Sequence, residues 1–257
     1  MIITVAAQKG GVSKTSTAAA IAQGLTWKKK RTLLIDADSQ RSATLIYGAD
    51  DSGGGLYDLI TGKAQAAELI QETPAGAIIP GSDLLDRLDV ELNNQPGRDS
   101  LLKAGIAPIV PDFQHVIIDT APGLGTCLIQ ALTAADSVII PLLCDPQALA
   151  GLHQITETIN QVKKYCNPSL QIAAVLLTQY QGRAMLTRQY EELITEQCRE
   201  MGLYLAETRI RKGIALQEAQ ASRENLYNYA PKSNPAADYM AFINELNLTR
   251  KGRRKNG

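Results

Sequence analysis

The stretch Gln8-Lys9-Gly10-Gly11-Val12-Ser13-Lys14-Thr15-Ser16 constrains this chain more than any other, because an apolar run precedes it and an alanine-rich helical run follows it. A strand, a glycine loop and a helix in that order form a phosphate-holding arrangement. Gly10 and Gly11 let the backbone turn its N–H groups inward, and the helix start near Lys14 adds a positive dipole end. Lys14 brings an ammonium and Thr15 a hydroxyl, a combination that suits a nucleoside triphosphate with magnesium. The usual pattern has glycine six residues and one residue before the lysine, where this chain has Gln8 and Ser13. It has instead a second lysine, Lys9.

Two later apolar runs end in acids. Residues 32–40 read as a buried strand closing on Asp36 and Asp38, and residues two apart on an extended chain face one side, so both can look toward the loop; a helix-cap or turn role remains open for either alone. Residues 115–123 form an apolar strand ending at Asp119, where a carboxylate can hold a magnesium-bound water opposite Thr15. In an open parallel sheet the ligand lies beyond the carboxyl ends of the strands, where all three acids fall. Strands also read at residues 2–7, 77–81, 137–141 and 172–178, with helices between them. This alternation predicts an α/β fold: a doubly wound, mostly parallel sheet flanked by helices. Residues 183–201 read as an amphipathic helix with Leu186, Tyr190, Leu193, Ile194 and Met201 inward. Asn234 and Pro235 signal the start of the last helix.

The chain has 257 residues with 26 basic and 26 acidic side chains, so any nucleic-acid surface must be a local patch. One domain over residues 1–249 and a basic, disordered tail over 250–257 are expected. Its beginning lacks a basic leader and no run approaches a membrane span, which indicates a cytosolic protein. Cys127, Cys144, Cys166 and Cys198 are widely spaced, suggesting neither a disulfide framework nor a zinc site.

The Lys-Gly-Gly-x-x-Lys-Thr-Ser run resembles the deviant Walker A motif of the ParA/MinD superfamily of ATPases, closest to the ParA partition branch without an N-terminal helix-turn-helix. Residues 36–40 resemble its Asp-x-Asp-Pro-Gln switch with Ser39 for the proline, and residues 115–123 its Walker B strand. The resemblance implies a magnesium-dependent ATPase. ATP would be held by Gly10, Gly11, Val12, Ser13, Lys14, Thr15 and Ser16, with Thr178 near the adenine. Magnesium would lie at Thr15, Asp36 and Asp119, and Asp38 would orient the attacking water. Lys9 would reach the partner's nucleotide across an ATP-bound homodimer. The resemblance further implies non-specific DNA binding on the nucleoid, with Arg183, Arg211, Lys212 and Arg223 as candidates. It also implies stimulation by a ParB-like adaptor in segregating a plasmid or chromosome.

Three other readings share the loop. A cargo-positioning relative on the nucleoid carries the same motifs. A MinD-like membrane ATPase needs a C-terminal amphipathic anchor, for which residues 244–257 have too few apolar side chains. A reductase resembling the nitrogenase iron protein needs a ligand cysteine upstream of Cys127, and none precedes it.

Overall fold

The computed structural model describes residues 1–50 and 52–248; the basic tail at 250–257 lies outside them. The strands are β1 (Ile2–Val5), β2 (Thr32–Ala37), β3 (Gln71–Thr73), β4 (Gly76–Ile79), β5 (His115–Thr120), β6 (Ser137–Leu142), β7 (Gln171–Tyr180) and β8 (Leu205–Arg211). They form one sheet in the order β3-β4-β2-β5-β1-β6-β7-β8, parallel throughout except for the β3–β4 pair. The helices are α1 (Lys14–Trp27), α2 (Ser42–Tyr47), α3 (Leu56–Ile60), α4 (Ala66–Leu69), α5 (Leu88–Glu91) and α6 (Leu101–Ile106). They continue with α7 (Thr126–Ala134), α8 (Ala148–Tyr165), α9 (Met185–Glu200), α10 (Ile214–Ala221), α11 (Leu226–Tyr229) and α12 (Asn234–Glu245). The doubly wound sheet expected from the alternation of elements is what forms.

Alternate residues of the central strands enter different cores, as the two-residue period of a strand requires. Leu34, Ile78 and Ile117 pack with α1, α11 and α12 on one face; Leu33, Ile35, Ile79 and Ile118 pack with α3, α6 and α7 on the other. A third cluster joins Val138, Ile140, Val175 and Leu177 to α8 and α9. Because both faces are covered, the strands read as unbroken apolar runs. β1 lies between β5 and β6, so the chain winds outward in both directions from it and leaves a crevice at its carboxyl end.

Two elements differ from the sequence expectation. In α9 only Ile194 and Cys198 are buried, while Leu186 and Leu193 are 65% and 50% exposed. The helix meets the body along a narrower stripe than its apolar periodicity implies. The last helix is capped by Ser233, whose hydroxyl accepts from the Ala236 amide, with Pro235 in the first turn.

Helix α1 is almost wholly buried and crosses α12 and α11 closely at Gly24. A Cβ built there would stand 2.6 Å from Ile243 Cδ1 and 2.7 Å from the Tyr227 hydroxyl. Gly24→Leu is therefore expected to destabilise the protein by about 3 kcal/mol through overpacking, despite the better helix propensity of leucine. Urea unfolding checks this; an unchanged midpoint would show that the helices can separate freely.

Candidate functional site

The site is built on the junction of β1 and α1. Gly11 takes a left-handed φ of +76°, and a Cβ at either Gly10 or Gly11 would meet nothing within 4 Å. Both glycines therefore present bare backbone to open space. Ser13 precedes α1 in a left-handed conformation (φ +65°), and its carbonyl accepts the Thr17 amide at 2.8 Å. The dipole of α1 starts at this loop. A cavity of 660 Å³ opens above it, lined by Gly10, Gly11, Ser13, Lys14, Thr15 and Ser16. Its far walls are Asp38, Ser42 and Leu45, and residues 210–213 with Leu216 and Gln220. This volume suits a nucleotide. Val12 is buried and turned toward the core, so any part it takes at the cavity is through its backbone.

Lys14 is buried, and its ammonium donates to the Lys9 carbonyl at 2.9 Å. Burial lowers its pKa, against which Asp119 and Asp38 pull upward. Asp119 is fully buried, and neither of its carboxylate oxygens has a hydrogen-bond partner. Thr15 lies close enough to ease the charge without meeting hydrogen-bond geometry. Burial first, and then the neighbouring Asp36 carboxylate, push the Asp119 carboxyl well above the ordinary carboxylate range. An orphaned buried acid beside a hydroxyl and an ammonium, next to a phosphate-sized cradle, is the kind of donor set that would suit a hydrated divalent cation. Among the described residues no group of three or more His, Cys, Asp or Glu converges as a metal cage, so such an ion would share its coordination with ligand and water.

The two switch acids separate. Asp38 lines the cavity, and its carboxylate accepts the Gln40 amide at 2.9 Å while its carbonyl accepts that of Arg41. These bonds hold the turn around Ser39. Asp36, expected as a magnesium ligand, does not reach the cavity: Oδ2 accepts both the amide and the hydroxyl of Thr44 at 2.7 Å, and Oδ1 accepts the Asp38 amide. Gly81 in turn donates to the Thr44 hydroxyl oxygen at 2.8 Å. Burial raises the Asp36 pKa to about 6, against these bonds. It stands beside Asp119 in the β2–β5 register and serves the site by fixing the start of α2. The strand ends at Ala37, so the same-side rule fails one residue later.

Lys9 leaves the cavity altogether. Its ammonium pairs with Asp145 at 2.5 Å, beyond the end of β6, in a cleft shared with Leu142, Gln147 and Gly151. Thr178, expected near the adenine, is buried, and its hydroxyl lies 3.1 Å from both the Val12 and Leu142 carbonyls. Its neighbour Gln179 faces the cavity instead. The sequence carried no signal for Asp145, in the loop beyond β6, or for Gln179, at the slipped end of β7.

The four basic candidates do not form one patch. Arg211 is committed to Asp238 of α12 through Nε–Oδ2 (2.9 Å) and Nη2–Oδ1 (2.6 Å), and it lines the cavity with Lys212. Arg211 is thus a structural fork rather than a free cation. Arg183 is exposed at the β7–α9 loop, and Arg223 packs over Gly48 beside a different cavity. Cys127, half-buried and free, has its thiol pushed up to about 12 by burial, as for a core thiol.

Among known proteins, residues 1–172 match the family described as an AAA domain. The chromosome partitioning protein ParA of Myxococcus xanthus is 34% identical over 249 residues, covering 95% of this chain and 87% of that protein. The sporulation initiation inhibitor protein Soj of Bacillus subtilis is 33% identical, covering 95% and 97%. Cobyrinic acid a,c-diamide synthase from Mycobacterium smegmatis, solved with an ATP analog and magnesium, superposes with a TM-score of 0.83 at 30% identity, covering 95% and 92%. An ATP complex of a Cyanothece McdA variant shares the fold, with a TM-score of 0.86 at 20% identity over 98% of each chain.

Proposed function

The chain belongs to the ParA/MinD superfamily of ATPases, on its Soj-like ParA branch, and from that premise we propose that it is a nucleotide-switched partition ATPase. In the ATP state two copies would close face to face over their nucleotides, bind duplex DNA without sequence preference, and reopen after hydrolysis stimulated by a ParB-like adaptor. The cargo would be a plasmid or chromosome, and the protein would work on the nucleoid. Among the described residues no helix is long and apolar enough to cross a membrane.

The observation that carries this reading is the division of labour between the two lysines of one loop. Lys14 lies in the cavity, whereas Lys9 lies outside it, paired with Asp145. A partly exposed pair of that kind is worth about 1 kcal/mol or less, so a partner's phosphates can take Lys9 at small cost. Within each chain the loop N–H groups would cradle the phosphates and Lys14 would neutralise charge at the β–γ bridge. Asp38 would orient a water for attack on the γ-phosphorus. Thr15 and Asp119 would hold magnesium, Asp119 through water; the ion supplies neutralisation of the phosphate oxygens.

The test is ATP turnover by the purified protein alone, with duplex DNA, and with DNA plus the product of the adjacent gene, alongside DNA retention in ATP, ADP or no nucleotide. Slow basal turnover that DNA and adaptor raise together, with retention confined to ATP, is expected. Equal DNA retention in all three states would defeat the switch. Salt-sensitive binding that survives Arg211→Ala is also expected, given that the guanidinium is already paired.

A further inference from the structure

We propose that Gln179 is a positioning residue that clamps the phosphate loop through Ser13, the residue standing where the common motif has glycine. The proposal rests on the cavity being a nucleotide site.

Pairing of β7 with β8 slips between Leu177 and Tyr180, and in that gap Gln179 takes a left-handed conformation (φ +49°). The slip turns its side chain onto the loop. Its Nε2 donates to the Gly11 carbonyl and to the Ser13 hydroxyl oxygen, each at 3.0 Å. Since a carbonyl can only accept, the Gly11 contact fixes the amide with nitrogen toward the loop. Ser13 sits at the position from which serine usually caps a helix, yet its side chain makes no cap bond; the hydroxyl is given to Gln179. Two non-glycine residues in the left-handed region are thus joined side chain to side chain across 166 residues of sequence.

The neighbouring Thr178 hydroxyl meets the Val12 carbonyl, so the end of β7 holds Gly11, Val12 and Ser13 in succession. All three contacts use acceptors of the loop. Its N–H donors stay free for phosphate, and the loop is shaped before a nucleotide arrives. Ser13, which looks like a defect in the motif, becomes the clamp's second anchor.

The experiment measures ATP and ADP affinity by calorimetry with magnesium, and steady-state KM and kcat, for wild type, Gln179→Ala, Gln179→Glu, Ser13→Gly and the Ser13→Gly/Gln179→Ala double variant. Thermal unfolding without nucleotide runs in parallel. Gln179→Ala is expected to weaken both nucleotides about tenfold, with the loss falling on KM more than on kcat and the unfolding midpoint moving by less than about 2 °C. Gln179→Glu keeps the shape but offers the Gly11 carbonyl no donor, so it should bind no better than the alanine variant. Ser13→Gly should cost about threefold, and the double variant should bind as Gln179→Ala does, because the second loss is already contained in the first. Gln179→Ala within twofold of wild type, Gln179→Glu binding normally, or additive losses in the double variant would each overturn the clamp. A wild-type protein that binds no nucleotide would overturn the reading of the cavity, and the clamp with it.

Discussion

Lys9→Ala is expected to bind ATP within about twofold of wild type and to lose about 100-fold in turnover, near 2.7 kcal/mol of barrier. The binding half of this result follows from geometry, because the Lys9 ammonium points into the Asp145 cleft and not at the loop's own phosphates. The turnover half follows from the proposed dimer, in which that ammonium belongs to the partner's nucleotide. Apo stability should shift by less than about 1 kcal/mol, the range of a partly exposed ion pair. Equilibrium binding of a fluorescent ATP analog and a phosphate-release assay read the two halves separately. Normal turnover in the variant would sink the in-trans assignment, while loss of binding would mean that Lys9 serves its own chain's nucleotide.

The second large effect is expected at Asp119. Asp119→Asn should lower magnesium-dependent turnover by about 100-fold. The nucleotide-free protein should at the same time become more stable, by about 1–2 kcal/mol, or several degrees in unfolding midpoint. The signs differ because the carboxyl is fully buried with both oxygens unpartnered and has Asp36 beside it, so near neutral pH folding must either bury its charge or take up a proton, a cost that the neutral amide of equal size does not carry. A purely structural acid would give the reverse pattern. Scanning calorimetry without nucleotide, paired with ATPase assays over a magnesium series, distinguishes them; a destabilised variant with normal turnover would refute the assignment.

The core of this site was legible because its residues obey local rules. Glycines before a helix start, and an acid just past an apolar strand, place Gly10, Lys14, Thr15 and Asp38 on one cavity, with Asp119 buried behind Thr15 and Lys14, without any knowledge of the sheet order. What was not legible depended on contacts between distant segments. Asp36 and Asp38 have the same strand parity, yet β2 stops at Ala37 and Thr44 claims Asp36. Arg211 looked available until Asp238, 27 residues later on α12, proved to hold it. Asp145 lies 136 residues from the lysine it pairs with, and Gln179 owes its position to a slip in pairing that no periodicity records. In α9 the apolar pattern was real, but the packing surface fully buries only Ile194 and Cys198 and leaves Leu186 and Leu193 exposed.

The hydrogen-bond chain from Asp38 through Asp36 and Thr44 to Gly81 has a practical consequence for anyone re-engineering this protein. A side chain at Gly81 would meet Asp36 Cγ and the Asp38 carbonyl oxygen at 3.0 Å each, so a glycine at the end of another strand is hostage to the switch. A library that randomises residues 38–40 while holding Asp36, Thr44 and Gly81 fixed will explore variants that still fold. One that treats the loop after β4 as free surface will discard most of its members before turnover can be measured.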